Sequence, residues 1–268
     1  MITELAPAKI NLALHVRRRR DDGYHALETL FAFVDAGDEL TVETAPRDQL
    51  HIMGEFAADL SDPFGNIVSK ALGKLPRPEG WRITLEKKLP VAAGLGGGSA
   101  DAGAVFRLYD QRYGLPDWRK RAAKLGADVP ACVESRTCIG RGTGAELEPG
   151  PQDLAGTAIL LINPRVPLAT GAVFAAWDGV DHGPLPGGSA REIALAGRND
   201  LESPALVLCP AIGDVLGTLR DTAAWLVRMS GSGATCFALY ERHDVMRDAA
   251  DKLACDRPGW WQMAGSLR

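Results

Sequence analysis

The 268-residue chain has no apolar run long enough to cross a bilayer. Its longest aliphatic stretch, around Ala158 to Ile162, falls far short of the roughly 20 residues a spanning helix needs. The N-terminus alternates polar and apolar residues early and lacks a signal-peptide hydrophobic region, so a soluble, cytoplasmic protein is expected. Cysteine is scarce and odd in number: Cys132, Cys138, Cys209, Cys236 and Cys255, with no C-x-x-C spacing. That argues against a disulfide frame or a zinc site and for reduced thiols. No charge sign dominates; a net charge of -4 speaks against a broad electrostatic grip on nucleic acid. Internal repeats and low-complexity tracts are absent as well. Glycine is what the chain has in excess, 30 of 268 residues, about 11% against an average of about 7%. Some loops therefore need close approach of the backbone to another group. The remaining composition, 46% hydrophobic and 24% charged, is that of a globular protein, and the length allows one large core or two modest ones.

From Lys9 to Val16 the residues alternate, with Ile10, Leu12, Leu14 and Val16 on one side and Lys9, Asn11 and His15 on the other. Period two predicts a strand with one buried face, and it sets Lys9 beside Asn11. Further strands are expected at Glu39 to Glu43, Trp81 to Lys87 and Thr137 to Arg141. A helix is expected after the glycine run, where Val105, Leu108, Tyr109 and Arg112 recur at helical spacing, and another at Asp117 to Leu125 with Asp117 as its cap. A second region opens near Gly150-Pro151 with the strand Ala158 to Asn163 and has a turn-rich middle at Gly183 to Gly188. It continues through Trp225 to Met229, Ala234 to Tyr240, a helix near Asp244 to Ala254, and Trp260 to Ala264. Strands and helices mix without regular βαβ alternation, which predicts an α+β fold in two domains, residues 1–152 and 153–268. The run Arg17 to Arg20, followed at once by Asp21 and Asp22, reads as a solvated loop.

The strongest local signal is the run Pro90-Val91-Ala92-Ala93-Gly94-Leu95-Gly96-Gly97-Gly98-Ser99-Ala100, set between a strand and a helix. Residues without Cβ let backbone N–H groups turn inward onto an anion, and the following helix points its positive end at the same place. Ser99 is the expected helix cap and a candidate contact for phosphate or Mg²⁺, and a side chain at Gly97 is expected to intrude on the phosphates. The letters exclude the commoner phosphate motifs. No Lys follows the glycines as Walker A requires, and the sixth position from Gly94 is Ser99, where the Rossmann pattern needs Gly. A nucleophile elbow fails because Asp101 stands where its last Gly should be. Two other clusters, Gly140 to Gly144 and Ser230 to Thr235, read as tight turns; a hairpin explains the second by itself.

A kinase acting on an alcohol needs a base to orient the hydroxyl and cationic help for the transferring charge. The H-R-D and D-F-G elements of protein kinases are missing. Lys9 is a candidate cation, and Asp128, in Leu125-Gly126-Ala127-Asp128-Val129-Pro130, a candidate base. Taken alone, a solvated lysine and a turn-forming aspartate are the plainer readings of both.

Together the segments resemble the GHMP kinases, named for galactose, homoserine, mevalonate and phosphomevalonate kinases. The matching stretches are Ala6-Pro7-Ala8-Lys9-Ile10-Asn11-Leu12, Asp22-Gly23-Tyr24-His25 with Leu27 and Thr29, Leu89 to Asp101, Gly126 to Pro130, and Ser230 to Thr235. The resemblance implies a ribosomal-protein-S5-like N-terminal domain, a ferredoxin-like C-terminal domain and a site between them. It implies ATP and Mg²⁺ as cofactors, Asp128 as base and Lys9 as its partner. ATP phosphates would lie on Pro90 to Ala100, with Asn66 and Lys87 near the base and sugar. The Lys-x-Asn strand, Asp-Gly-Tyr-His and Gly-Ala-Asp-Val-Pro point to the branch whose small-molecule substrate is a cytidine-diphosphate-linked methylerythritol. Asn11, Tyr24 and His25 would meet its cytidine diphosphate end, and Thr170 and Phe174 would close over it. A monomer or homodimer is expected, with no nucleic-acid or membrane partner, and the ligands of the metal are left unassigned. The chain departs from the family pattern at Ala100, where a second Ser is usual, and at Ala92 and Gly103. The rivals are another GHMP-type alcohol kinase, disfavoured by Asp-Gly-Tyr-His, and a non-catalytic nucleotide binder, disfavoured by retention of Lys9 and Asp128.

Overall fold

In the computed structural model, which describes residues 1–60 and 65–268, two sheets and their covering helices share a continuous interior. The first half runs β1 (Ile2–Arg19), β2 (His25–Ala45), β3 (Gln49–Met53), α1 (Ile67–Leu72), β4 (Gly80–Glu86), α2 (Gly97–Tyr113), α3 (Trp118–Ala123), α4 (Val129–Glu134), β5 (Cys138–Arg141) and β6 (Glu146–Pro149). These strands form a six-stranded sheet in the order β3-β4-β2-β5-β6, with β1 also paired to β2. The length of β2 makes this possible. β1 runs along one edge, while β4 and β5 share the other, at Glu39–Ala45 and Thr29–Phe31.

The second half runs β7 (Ala158–Asn163), α5 (Thr170–Ala175), α6 (Ala190–Ala196), α7 (Glu202–Leu208), α8 (Ala211–Arg220), β8 (Leu226–Met229), β9 (Cys236–Tyr240), α9 (His243–Asp256) and β10 (Trp261–Ser266). Its four strands are antiparallel in the order β10-β7-β9-β8. Counted within this half, the order is the 4-1-3-2 of a ferredoxin-like sheet, and the molecule is α+β as expected.

Three apolar layers make up the interior, and two of them join the halves. One face of the first sheet packs Phe33, Trp81 and Ile83 against Val105 and Phe106 of α2. The opposite side of the β1–β2 hairpin, with Ile10, Leu12, Leu30 and Ala32, meets Ile159, Leu161, Phe237 and Leu239 of the second sheet. The far face of that sheet, with Leu160, Ile162 and Ala238, is covered from α5, α7, α8 and α9 by residues such as Val173, Ala205, Leu216 and Leu253. Alternate residues of β7 thus enter different layers, and both are dry. That is why its sequence is an unbroken apolar run.

The same burial corrects the reading of β1. A single buried face was expected, but every residue from Ala6 to Val16 is buried because the strand is packed on both sides. Register shifts between Pro7 and Lys9 and between Asn11 and Ala13 also break strict alternation. Leu12 and Ala13 therefore enter one layer, while Leu14 and Val16 enter another. Arg17 to Arg19 continue β1 and are not a loop; Arg17 is held by Asp181 at 2.9 Å and by Glu28 at 3.2 Å. Asp117 precedes α3 but makes no side-chain cap, since Arg121 takes its carboxylate at 3.0 Å. Gly103 has a packing reason: a Cβ there would lie 2.6 Å from the Cys132 carbonyl oxygen, so its absence lets α4 press onto α2.

Candidate active site

Lys9 and Asp128 meet at the base of a cleft of about 890 Å³, large among small-molecule pockets. The Lys9 Nζ stands 3.1 Å from Asp128 Oδ2 and donates to Asn11 Oδ1 at 3.1 Å. Asn11 is itself oriented: its Nδ2 donates to Thr29 Oγ1 at 2.8 Å, and that hydroxyl donates to the Ala13 carbonyl at 2.6 Å. The lysine stem lies over the Phe31 ring, with Nζ 5.1 Å from its centroid. A buried ammonium is tolerable only when paired and hydrogen-bonded, and both conditions hold. Lys9 is thus not a solvated surface lysine. Asp128 precedes α4 without capping it, which leaves its carboxylate turned to Lys9 and the cleft.

The glycine run closes over this pair. Gly96, at φ +61°, occupies the cap position of α2, and a Cβ on it would sit 2.9 Å from Lys9 Cε. Backbone without a side chain is what permits the approach. The first bond of the helix runs from Ala100 N to the Gly96 carbonyl at 2.8 Å, so the N–H groups of Gly97, Gly98 and Ser99 precede it. With the positive end of a 17-residue helix behind them they form an anion cradle. One expectation changes here. The helix starts at Gly97, so Ser99 lies inside its first turn and does not cap it. A Cβ on Gly97 would meet Lys87 Nζ at 3.4 Å and Asp38 Oδ2 at 3.5 Å.

The turn Ser230 to Thr235 is the expected hairpin between β8 and β9, and it also supports the cradle. Ser230 Oγ donates to the Gly94 carbonyl at 2.8 Å, and Thr235 N to the Ala93 carbonyl at 3.2 Å.

At the far end of the cleft, the tip of the β1–β2 hairpin presents Tyr24, which is 65% exposed, beside the buried His25. The imidazole lies 4.9 Å from the Phe174 ring and 5.7 Å, edge-on, from Trp177. Its Nε2 is buried without a hydrogen-bond partner. Burial first, and the charge of Arg19 second, hold its pKa below the usual histidine value, so it is neutral at pH 7. Thr170 and Phe174 lie one turn apart on α5 and both line the cleft, with Thr170 Oγ1 2.9 Å from Ser232 Oγ. The structure therefore brings Lys9, Asn11, Tyr24, His25, Asp128, Thr170 and Phe174 to one cleft with Ala92 to Gly94 and Gly96 to Ser99.

The other named residues lie elsewhere. Asn66, Lys87, Pro90 and Val91 line a second hollow of about 350 Å³ that shares Ala92, Gly97 and Gly98 with the cleft, and Leu95 and Ala100 are core. Asn66 caps α1 through its Oδ1, which accepts from Val68 N at 2.8 Å. Lys87 is buried, and its ammonium is held between Asp38 and Asp101, the latter at 2.9 Å. Whatever it offers a ligand is not a free charge. Two carboxylates share that one ammonium, and Asp38 also accepts from Lys88 N at 2.7 Å and Leu89 N at 2.8 Å. Asp101 has no such backbone support; burial pushes its pKa up to about 8, Lys87 opposing and Asp38 adding to the rise. Its Oδ1 is buried without a partner.

Sequence reasoning missed Asp38, Asp101, Trp177, Ser232 and the cleft-facing Arg19. Only Asp101 carried a signal, as a lone carboxylate in the small, apolar run Ala100 to Val105.

Two family descriptions match the chain: "GHMP kinases N terminal domain" over residues 66–140 and "GHMP kinases C terminal" over residues 187–257. A 4-diphosphocytidyl-2-C-methyl-D-erythritol kinase from Novosphingobium aromaticivorans is 70% identical over 268 residues, covering 100% of this chain and 93% of the relative. One of the same name from Erythrobacter litoralis is 60% identical over 273 residues, covering 100% of both. A crystal structure of 4-(cytidine 5'-diphospho)-2C-methyl-D-erythritol kinase superposes with a TM-score of 0.83 at 37% identity over 99% of both chains.

Proposed function

The chain belongs to the GHMP kinases, and on that premise we propose that its cleft transfers the γ-phosphoryl group of ATP to the 2-hydroxyl of 4-diphosphocytidyl-2-C-methyl-D-erythritol. The observation that carries this reading is the Lys9–Asp128 pair at 3.1 Å under the N-terminus of α2. Asp128 takes the proton of the hydroxyl as its oxygen attacks the γ-phosphorus, and ADP leaves. Lys9, 3.1 Å from the carboxylate, orients it and offsets the charge that builds on the phosphoryl oxygens. The N–H groups of Gly97 to Ser99 hold the phosphates in place. Mg²⁺ belongs to the nucleotide in this reading and neutralises phosphate charge when bound. Among the described residues no cluster of three His, Cys, Asp or Glu is arranged to hold a metal, and Ser99 has the only side-chain oxygen between Pro90 and Ala100.

The cytidine would stack on the exposed Tyr24, and the neutral His25, with its orphaned Nε2, would bond the base edge. Thr170 and Phe174 would close the site from α5. Asn66 and Lys87 would border the nucleoside of ATP in the second hollow. We place the domain boundary at 152/153, the cleft lying between the two halves, and the activity in the cytoplasm, where the product would feed isoprenoid-precursor synthesis. Among the described residues no helix is long and apolar enough to cross a membrane.

ADP release tests this. The cytidylylated substrate should give a kcat/KM at least about 100-fold above that of free methylerythritol phosphate, since a site built to pair polar groups penalises a ligand lacking them. Tyr24→Ala should raise KM for the cytidylyl substrate about tenfold or more and leave KM for ATP unchanged. Equal kcat/KM for the two alcohols would overturn the substrate assignment.

A further inference from the structure

The four consecutive arginines at the end of β1 are not equivalent. Arg17 is spent on Asp181 and Glu28, and Arg20 on Asp22 at 2.8 Å. Arg18 and Arg19 are both exposed, but Arg18 does not line the cleft. Arg19 does line it, and among the described residues no carboxylate lies within 4.0 Å of its guanidinium. Of the cleft's charged side chains, Lys9 and Asp128 are paired with each other, so Arg19 is its one uncommitted cation among the described residues.

Its place on the hairpin is fixed. The β1–β2 register sets Arg19 directly opposite His25, and Arg20 N donates to the Tyr24 carbonyl at 2.8 Å to close the hairpin end. Arg19 and His25 are therefore held in a constant relation by strand pairing, and the turn that carries Tyr24 is tied to the same end through its carbonyl.

We propose that Arg19 is a specificity-determining residue that grips the diphosphate bridge of the substrate. The inference rests on the reading of the cleft given above. A cytosine at Tyr24 and His25 carries its diphosphate one ribose away, and Arg19, opposite His25 in the β1–β2 register and lining the same cleft, stands at that end with its charge unpaired. A guanidinium meets phosphate oxygens two at a time through its planar fork, which a lysine cannot reproduce. The site then reads its ligand at two points, base and diphosphate, and cytidine alone satisfies only the first.

Titration calorimetry with a non-hydrolysable ATP analogue filling the nucleotide site tests this, with cytidine and CDP as the probes. The wild-type protein should bind CDP about ten- to a hundredfold more tightly than cytidine, the range of a charge-assisted contact. Arg19→Gln should bring the two affinities together while cytidine affinity holds. Arg19→Lys should restore part of the difference, and Arg18→Gln, equal in charge change but outside the cleft, should keep all of it. A CDP preference that survives Arg19→Gln overturns the proposal, as does an equal loss in Arg18→Gln, which would mean a diffuse field and not a contact. If the wild-type enzyme turns over the cytidylyl substrate while Arg19→Gln keeps its CDP preference, only the role of Arg19 falls. If the wild-type protein binds neither probe, the cytidine site falls and this inference with it.

Discussion

At the residue scale the account rests on what each polar side chain has left to offer after packing. Lys9 and Asp128 were ambiguous in the sequence because a lysine on a strand and an aspartate before a helix both have ordinary roles. Burial of the one and the absent cap bond of the other rule out those ordinary roles, and neither is legible in the letters. Asp128→Asn should fold, bind ATP analogue as before and lose about 10²–10⁴-fold in kcat, the usual contribution of a positioned base. A folded variant that keeps more than about a tenth of wild-type kcat would remove Asp128 from the role.

Asp101 gives a second prediction, in stability. An unfolded aspartate has lost its proton by about pH 5, while folded Asp101 keeps its own until about 8. Folding therefore takes up a proton between those values, and this contribution to stability is full below the unfolded pKa and lost as pH rises through the folded one. Urea midpoints at pH 5, 6.5 and 8 should fall more steeply for wild type than for Asp101→Asn. Parallel curves for the two would mean that Asp101 does not carry that proton.

At the scale of elements, the glycine run was the most legible feature because its composition has few other uses between a strand and a helix. What the sequence could not say is which way each position points. Gly96 faces Lys9 and Gly97 faces the buried Lys87 cluster, a distinction set by the left-handed turn at the helix start. Gly96→Ala places a side chain where the left-handed conformation costs about 1–2 kcal/mol and pushes on Lys9. We expect its kcat at saturating ATP to fall at least about tenfold below that of Gly97→Ala, whose Cβ meets only ordinary contacts of 3.4–3.6 Å. The reverse order would mean that Lys9 is not the group the loop must clear.

The short helices of the second half escaped prediction because six to ten residues carry too little periodicity to stand out. One had a readable start: Ser189-Ala190-Arg191-Glu192 is the capping box of α6, with Ser189 Oγ accepting from Glu192 N at 3.2 Å. The period-two reading of β1 found the strand but misjudged its environment. Alternation reports which residues share a face, and much of the apolar cover on β1, such as Leu160 on one side and Ile159 and Leu161 on the other, comes from a strand more than 140 residues away.

At the scale of the molecule, the α+β class, the two-part organisation and the family resemblance were all legible, since the matching segments recur in order along both halves. The joining of those halves was not. Ser230 Oγ reaches back to the Gly94 carbonyl, Leu14 N donates to the Arg198 carbonyl at 2.7 Å, and Asp200 N donates to the Leu14 carbonyl at 2.9 Å. These bonds seat the second half against the glycine run and β1, and they are pairings across long separations that no local pattern announces. The outcome is one cleft, walled from both halves, with a phosphate cradle and a lysine–aspartate pair at its base.

The central claim is that this pair directs the phosphoryl group onto one hydroxyl of the substrate, the tertiary one at C2. Phosphorus-31 spectra of the product formed from ATP and 4-diphosphocytidyl-2-C-methyl-D-erythritol read the position directly. Because C2 bears no hydrogen, the new phosphomonoester should appear as a singlet in the proton-coupled spectrum, formed by wild type and lost with Asp128→Asn. A doublet or triplet, from phosphate on C3 or C1, would contradict the account, as would ADP release with no new phosphomonoester.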